Sequence, residues 1–404
     1  MIEMAEFATE MTFPPFVASL WFAPHSPPES SMRKPVLSVA FAALLASASS
    51  GMPTAPAAAA PLAVQADAVR SVIVLPAPKA GRTRPLVAVI ADSAGAETTD
   101  FLIPYGVLKD SGVADVVGLS TADGPLQLKM AVKIQPDQTT ARFDVAQPAG
   151  ADIVIVPAQL HPKSPALVDW IRKQAAQGAV IVSICEGARV VAAAGLLDGK
   201  RATTHFAALE QLEKAYPKTT WVRDRRWVQD GRVISTTGVS ASIPASLALI
   251  EAIAGRQAAE ATAARLGAGD WSPRHRTAEF KVERSDYFVG VANLAAVWKH
   301  ETVEAPLQAG VDEIALALQA DAWRRGLRTK VVVAGSGPVR SRHGLTILPD
   351  APHKADAIVL TTPAGGSAAV LDWTLAEMTH RYGPETARLA WLGMEYGRED
   401  GARH

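Results

Sequence analysis

Cys185 is the only cysteine among 404 residues and the side chain best suited to covalent chemistry. It follows the apolar run 180–184 and precedes a segment of small residues typical of a helix start. A tight turn from strand to helix projects its side chain outward and points the first helical N–H groups at it. These N–H groups lower a cysteine pKa and favour the reactive thiolate. A small, inert, buried side chain is the alternative, because free cysteines are among the most buried residue types.

Regular elements before and after Cys185 predict how the thiol is positioned. Strands are expected at 86–91, 113–119, 152–157 and 179–184, and helices at 97–111 and 165–177. Continuous Val/Ile runs predict strands covered on both faces, so the fold class is α/β, a flavodoxin-like layered parallel sheet with helices on both faces. Reactive groups of such sheets lie at the carboxyl ends of the strands. Cys185, Asp100 and the loop 157–161 all reach that edge.

Four segments between about residues 85 and 255 carry a family resemblance. They are 95–104, 185–188, 193–205 and 236–244. Together they resemble the ThiJ/PfpI (DJ-1/PfpI) superfamily of class I glutamine amidotransferase-like domains, with Cys185 at the nucleophile elbow. The nearest in character is the sensor domain of AraC-type regulators. This resemblance implies the fold but does not select an activity.

The resemblance implies roles for two further residues. Asp100 takes the place of the family's acidic residue that donates a hydrogen bond to the cysteine sulfur, which requires a protonated carboxyl or a shared proton. The alternative is a carboxylate with no chemical role, which interacts favourably with the helix dipole in the first turn. His205, 20 residues after Cys185, matches a family histidine near the sulfur and is a candidate general base or water-orienting group. A satisfied core histidine is the alternative.

The backbone groups that would stabilise an oxyanion are Glu186, Gly187, Ala158 and Gln159. Glu186 stands where catalytic relatives commonly carry His or Thr, which excludes a Cys–His dyad of adjacent residues. Ala158 and Gln159 replace paired glycines found in many catalytic members. These departures weaken a hydrolase interpretation.

The N-terminal 84 residues differ from the rest in being rich in Ala, Pro and Ser. A basic start at Met32, an apolar stretch at 36–46 and Ala-x-Ala sites predict a secretory signal peptide at 32–60. Residues 1–31 are then an upstream extension and 61–84 a linker. We therefore expect a periplasmic or secreted protein with no stable membrane span after signal cleavage, since about 20 apolar residues are needed to cross a bilayer.

The C-terminal third contains a partial internal repeat of the first domain. Segments of 310–360 follow the order of segments in 95–156, but Ala315 replaces Asp100 and a single helix, 368–382, follows without a cysteine. We expect a domain at 85–255, a linker at 256–300 and a degenerate, structural half-repeat at 301–404. The half-repeat would dock on the first domain as a pseudo-dimer within the chain, with a homodimer as the alternative.

Composition restricts the partners. Forty Lys and Arg balance forty Asp and Glu, and the C-terminal third does not resemble an AraC-type DNA-binding module, so we expect no nucleic-acid partner. Scattered histidines predict no metal site, and no cofactor is expected. Two function classes stay open: a cysteine-dependent lyase, hydratase, glyoxalase-like enzyme or hydrolase acting on a small electrophile, and a non-catalytic ligand-binding or redox-sensing domain.

Overall fold

The computed structural model describes residues 72–129, 131–269, 271–354, 357–363 and 365–397. The expected upstream extension and signal peptide lie outside these residues. Within them, no helix is both long enough and apolar enough to cross a bilayer.

A seven-stranded, mostly parallel sheet forms the centre of the first α/β unit, residues 86–266. Its strands, in the spatial order β10-β11-β7-β6-β1-β2-β5, are β1 (Leu86–Ala91), β2 (Asp115–Ser120), β5 (Gln138–Thr139), β6 (Ile153–Val156), β7 (Val180–Ser183), β10 (Trp227–Asp230) and β11 (Val233–Thr236). Only the pair β10–β11 is antiparallel in this sheet. The expected α/β fold class is therefore confirmed.

Helices cover both faces of this sheet. They are α1 (Thr98–Ser111), α2 (Thr140–Ala146), α3 (Pro165–Ala176), α4 (Ala188–Ala193), α5 (Phe206–Ala215), α6 (Ser242–Ala254) and α7 (Arg256–Leu266). Alternate residues of β1 belong to different cores: Val87 and Val89 pack in one, and Ala88 and Ile90 in the other. A strand buried on both faces explains the unbroken apolar run in the sequence.

The C-terminal segment, residues 301–397, repeats part of this arrangement. It contains β12 (Glu301–Pro306), α9 (Glu313–Arg325), β13 (Thr329–Ala334), β14 (Val339–Arg340), β15 (Thr346–Leu348), β16 (Ile358–Val359), α10 (Val370–Tyr382) and α11 (Pro384–Met394). Its parallel sheet has the order β13-β12-β16, which corresponds to β2-β1-β6 of the first unit. In the described part of the segment, the expected second copy is therefore supported only in part, by this three-stranded sheet and the helices that accompany it.

Strand pairing and helix packing are two of the contacts that join the C-terminal segment to the first unit. The hairpin of β3 (Leu126–Gln127) and β4 (Lys133–Gln135) pairs with β15, giving the order β14-β15-β4-β3 with Ile134 opposite Ile347. Helices α1 and α9 also pack against each other. A Cβ at Gly106 would lie 2.7 Å from Cγ1 of Ile314, so the close approach of these helices requires glycine there.

Two expectations about the C-terminal third are wrong. The segment 256–300, expected to be a linker, contains α7 and the helix α8 (Arg284–Ala295). Ala259, Ala263 and Leu266 bury the apolar face of α7 in the core of the first unit, which holds this segment in place. The single expected helix after Leu360 is two helices, because Gly383 (φ 87°) separates α10 from α11.

We expect the chain to be a monomer, because its own C-terminal segment covers the exposed face of α1 and the edge strand β4. Size-exclusion chromatography with light scattering measures this directly, and the expected mass is that of a single 42.5 kDa chain or its processed form. A tight dimer at micromolar concentration would contradict the expectation.

Candidate functional site

Cys185 lies in a strained turn directly after β7. Its φ is 55°, a left-handed conformation that non-glycine residues rarely adopt. Its N–H donates to the Thr237 carbonyl at 3.1 Å, and the Thr204 hydroxyl donates to its carbonyl at 2.9 Å. A Cβ at Gly187 would lie 2.0 Å from the Val156 carbonyl oxygen, so only glycine lets the turn pack against β6. The turn is thus held by the loops that follow three neighbouring strands.

Asp100 is fully buried in the first turn of α1, and its carboxyl group interacts electrostatically with the Cys185 thiol. Its Oδ2 accepts the Ala158 N–H at 3.1 Å, whereas Oδ1 is buried without a hydrogen-bond partner among the described residues. Burial, and then the charge of Glu97, raise the pKa of Asp100 well above its ordinary value. The raised pKa favours the protonated carboxyl, and Oδ1 is the oxygen free to carry the proton.

The expectation of a thiolate at Cys185 is wrong. The side chain is 6% exposed, and burial raises the pKa of the thiol well above its ordinary value. Interaction with the acidic side chains of Asp100, Glu186 and Glu97 raises this pKa further. Desolvation of the thiolate thus outweighs the dipole effect of the short 3₁₀ turn that begins at Cys185.

His205 is buried at the start of α5, directly after Thr204, whose hydroxyl contacts the Cys185 carbonyl. Its Nδ1 accepts the Ala207 N–H at 3.3 Å, which assigns the proton to Nε2. Burial lowers the pKa of His205, so the ring is neutral at neutral pH. Its Nε2 is buried with no hydrogen-bond partner within the described structure. In this tautomer His205 is a hydrogen-bond donor, and the expected role of general base does not fit its geometry.

Several of the expected oxyanion groups are already engaged. The Ala158 N–H donates to Asp100, and the Gly187 N–H donates to the Ile184 carbonyl at 2.8 Å. The Gln159 side chain accepts the Asp92 N–H and donates to two carbonyls of its own neighbourhood. These contacts correct the expectation for Ala158, Gly187 and the Gln159 side chain, because buried amides take partners within the fold. The backbone N–H groups of Glu186 and Gln159 remain candidates.

The Glu186 side chain does not take part in stabilising an oxyanion. It forms an ion pair with Arg189, one helical turn further on. Burial raises its pKa, but Arg189 and His205 together outweigh this effect, and the pKa of Glu186 is lowered overall. The side chain is therefore a carboxylate whose charge opposes ionisation of the neighbouring thiol.

The sequence analysis missed an ion network that the C-terminal segment brings to the site. Arg325 of α9 contacts Asp321 at 2.7 Å and Glu97 of the first unit at 3.1 Å, and all three are buried. Its charge also attracts the ionised form of Cys185. The partial internal repeat in the sequence could have predicted this network, because two packed copies bring the end of one helix next to the start of the other.

Glu395 is a second contribution of the C-terminal segment that sequence analysis missed. It is fully buried, and its carboxylate contacts the residues after β11 and the start of α5. Its Oε2 accepts the Gly238 N–H at 2.6 Å and lies 3.9 Å from Nε2 of His205. Its Oε1 lies 2.9 Å from Nε2 of His275. No signal near Glu395 in the sequence marks it, since its partners lie 120 residues or more away along the chain.

Among the described residues, no group of three or more His, Cys, Asp or Glu side chains could hold a metal ion. The chemistry that the arrangement offers is that of a neutral thiol, a neutral carboxyl group and a neutral imidazole donor, surrounded by ion pairs.

Comparison with known proteins identifies the domain that holds this site. The family model "DJ-1/PfpI family" matches residues 86–252. Residues 86–252 form a DJ-1/PfpI family domain. The match ends within α6, so the ion network and the Glu395 contact combine this DJ-1/PfpI domain with residues outside it.

Two relatives and one solved structure illustrate the similarity. The HTH-type transcriptional regulator CdhR of Pseudomonas aeruginosa is 32% identical over 44% of this chain and 52% of its own length. Isonitrile hydratase of Pseudomonas putida is 39% identical over 27% of this chain and 48% of its own length. The chain thus spans about half the length of each. The crystal structure of Drosophila melanogaster DJ-1beta matches 45% of this chain and 96% of its own at 25% identity, with a TM-score of 0.41.

We expect Cys185 to react slowly with iodoacetamide at neutral pH, with a half-point above the ordinary thiol pKa of 9.0. Only the thiolate is nucleophilic, and burial disfavours it. Mass spectrometry of the alkylated protein against pH gives the half-point, because the sequence contains a single cysteine. The same protein unfolded in urea is the control and should return the ordinary value.

Replacement Arg325→Met should move this half-point further upward, because it removes a cation that attracts the thiolate. Arg381→Met, which removes an exposed helical ion pair with Glu377 in the same C-terminal segment, is the matched control and should leave it in place. A half-point below pH 8 in the unsubstituted protein would contradict the raised pKa.

Proposed function

We propose that the protein is a cysteine-dependent enzyme in which Cys185 adds to a small electrophile such as a 2-oxoaldehyde or an isonitrile. The observation that carries the proposal is the pairing of a strained thiol with Asp100, whose Oδ1 is buried and unpartnered in the described structure. An unsatisfied buried oxygen is costly, so its persistence favours a role in binding or proton transfer. Similarity to a protein named isonitrile hydratase supports the same class.

The raised pKa values of Cys185 and Asp100 determine the proposed step. Sγ bonds to the electrophilic carbon while the π bond to its oxygen or nitrogen breaks. The Asp100 Oδ1 proton passes to the carbonyl oxygen of an oxoaldehyde or to the terminal carbon of an isonitrile, and the thiol proton passes to Asp100, which restores its neutral form. Net addition of S–H requires no co-reactant and creates no separated charge, which suits a buried site. With an isonitrile, water adds to the resulting thioimidate and the Cys185 thiol leaves, which gives the N-substituted formamide. With a 2-oxoaldehyde, the hydrogen on the sulfur-bearing carbon of the hemithioacetal moves as a proton to the neighbouring carbon, and water hydrolyses the resulting thioester to the 2-hydroxy acid and the free thiol.

His205 and the Glu186 N–H have supporting roles in this proposal. The Nε2–H of His205 is a donor without a partner among the described residues, and it is available to a polar atom of the substrate. The Glu186 N–H lies at the start of the turn, where it can face the same atom. Neither group has to change its protonation state, because burial lowers the pKa of His205.

A second candidate is a ligand-binding or redox-sensing domain. Its support is the small exposure of Cys185 together with the carboxylate of Glu395, which fills the space beside His205. Similarity to a protein named a transcriptional regulator is in line with it. In this case hydrogen peroxide would add oxygen to Cys185 reversibly, and no turnover of electrophiles would be found.

Turnover of methylglyoxal, and hydration of an alkyl isonitrile to the N-substituted formamide, test the enzyme proposal. We expect Cys185→Ser to lower kcat/KM by about 10³-fold or more and Asp100→Asn by about 10²-fold, since the first removes the nucleophile and the second the proton relay. Asp198→Asn changes an exposed carboxylate on the far side of α4 and should match the unsubstituted protein. Turnover that survives Cys185→Ser, or none with either substrate class, would reject the enzyme proposal.

We also propose that the protein is exported, on the basis of the signal-like segment at 32–60. N-terminal sequencing of the protein purified from its native host should find a first residue after the Ala-x-Ala sites. A mature protein that still begins with Arg33 would rule this out.

A further inference from the structure

Glu395 takes an unfavourable backbone conformation. It ends α11 with φ 51° and ψ 45°, whereas the corresponding residue at the end of α7 is Gly267 with φ 65° and ψ 26°. Both helices have 11 residues and follow a glycine of nearly the same conformation, Gly255 or Gly383. Left-handed backbone strains a side chain and not a glycine. The Glu395 side chain must therefore be held by contacts that compensate for this strain.

These contacts come from residues before the C-terminal segment. The backbone N–H groups of Gly238 and Phe206 donate to Oε2 at 2.6 and 3.3 Å, and Nε2 of His275 lies 2.9 Å from Oε1. Phe206 is the first residue of α5, so its N–H has no partner within that helix. The residue before Gly238, Thr237, accepts the Cys185 N–H. The carboxylate thus rests in a cradle joined to the Cys185 turn.

The cradle contains one donor that Glu395 does not satisfy. His205 is 4% exposed, and its Nε2 lies 3.9 Å from Oε2 of Glu395, too far for a hydrogen bond. This Nε2 has no hydrogen bond of normal geometry in the described part of the chain, and the backbone of Gly393 supplies only a weak contact that raises the pKa of the ring. A carboxylate not tethered to a helix end could move closer and take up this donor as well. The donors therefore suit a free carboxylate better than the tethered one.

We propose that Gly238 N–H, Phe206 N–H, His275 and His205 form a carboxylate-binding site beside Cys185, which Glu395 occupies as an internal ligand and which small monocarboxylates enter when Glu395 is absent. Two backbone N–H groups at a helix start and two imidazoles are neutral or cationic donors suited to an anion of this shape. The proposal is independent of turnover, because it concerns binding alone.

The test uses the full-length chain with Glu395→Gly, which introduces the residue found at the corresponding position 267 and removes the backbone strain. Addition of 50 mM acetate should raise the Tm of this variant by roughly 3 °C or more relative to 50 mM chloride, because a ligand that binds only the folded state stabilises it. Glu395→Gln is the matched control, since its amide still fills the cradle and should show no gain. Acetamide, a neutral molecule of the same shape, should have no effect on either.

Alkylation of Cys185 supplies a second readout that locates the ligand. Glu395→Gly opens the space beside the thiol and removes a negative charge that disfavours the thiolate, so iodoacetamide should react several-fold faster at pH 8. Acetate should reverse this increase, whereas chloride and acetamide should not. The proposal is overturned if the Glu395→Gly variant unfolds cooperatively and acetate changes neither its Tm nor its alkylation rate.

A failure of Glu395→Gly to fold also gives an answer. The variant is then refolded from urea in acetate and, separately, in chloride. Recovery of a cooperative melt in acetate alone supports the site, because the free ligand replaces the missing carboxylate. Recovery in neither, or equally in both, overturns it. Loss of activity on its own bears on the proposed enzyme function and leaves these binding results unchanged.

Discussion

The site depends on one buried cation, Arg325. Burying a guanidinium costs several kcal/mol unless carboxylates pair with it, and removal of one partner of such a pair costs about 3–5 kcal/mol. Asp321 comes from the same helix as Arg325, but Glu97 comes from the first unit. The network is therefore satisfied only when the C-terminal segment is docked. Since Glu97 lies at the start of α1 next to Asp100, the same contact fixes the position of the proton-bearing carboxyl group.

This dependence explains how two similar halves have different roles. The C-terminal segment contains no cysteine and has Ala315 where the first unit has Asp100. What it contributes is charge: Arg325 at one side of the Cys185 turn and Glu395 at the other. A chain that carries its own partner can specialise one copy for support, because selection on each half is no longer tied to the other by symmetry. The result is a single thiol site in each chain.

The electrostatics of the site favour neutral groups at its centre. Burial raises the pKa values of Cys185 and Asp100 and lowers that of His205, so the neutral form of each of the three is favoured. Charged side chains surround them in pairs, as in Arg325–Asp321 and Arg189–Glu186. In such an environment proton transfer between neutral partners avoids the desolvation cost of an isolated thiolate. The position of Cys185 in the chain alone suggested the opposite protonation state.

Local patterns in the sequence determined the order of strands and helices in the first unit, the turn at Cys185 and the identity of the acid at position 100. They did so because buried parallel strands need continuous apolar runs, and a tight turn needs small residues such as Gly187. The ionisation of Cys185 and the tautomer of His205 were decided by tertiary structure, because burial and distant charges control both. The same holds for Arg325 and Glu395. Glu97 lies 228 residues from Arg325, and the partners of Glu395 lie 120 residues or more from it, so only folding brings the two ends of these contacts together.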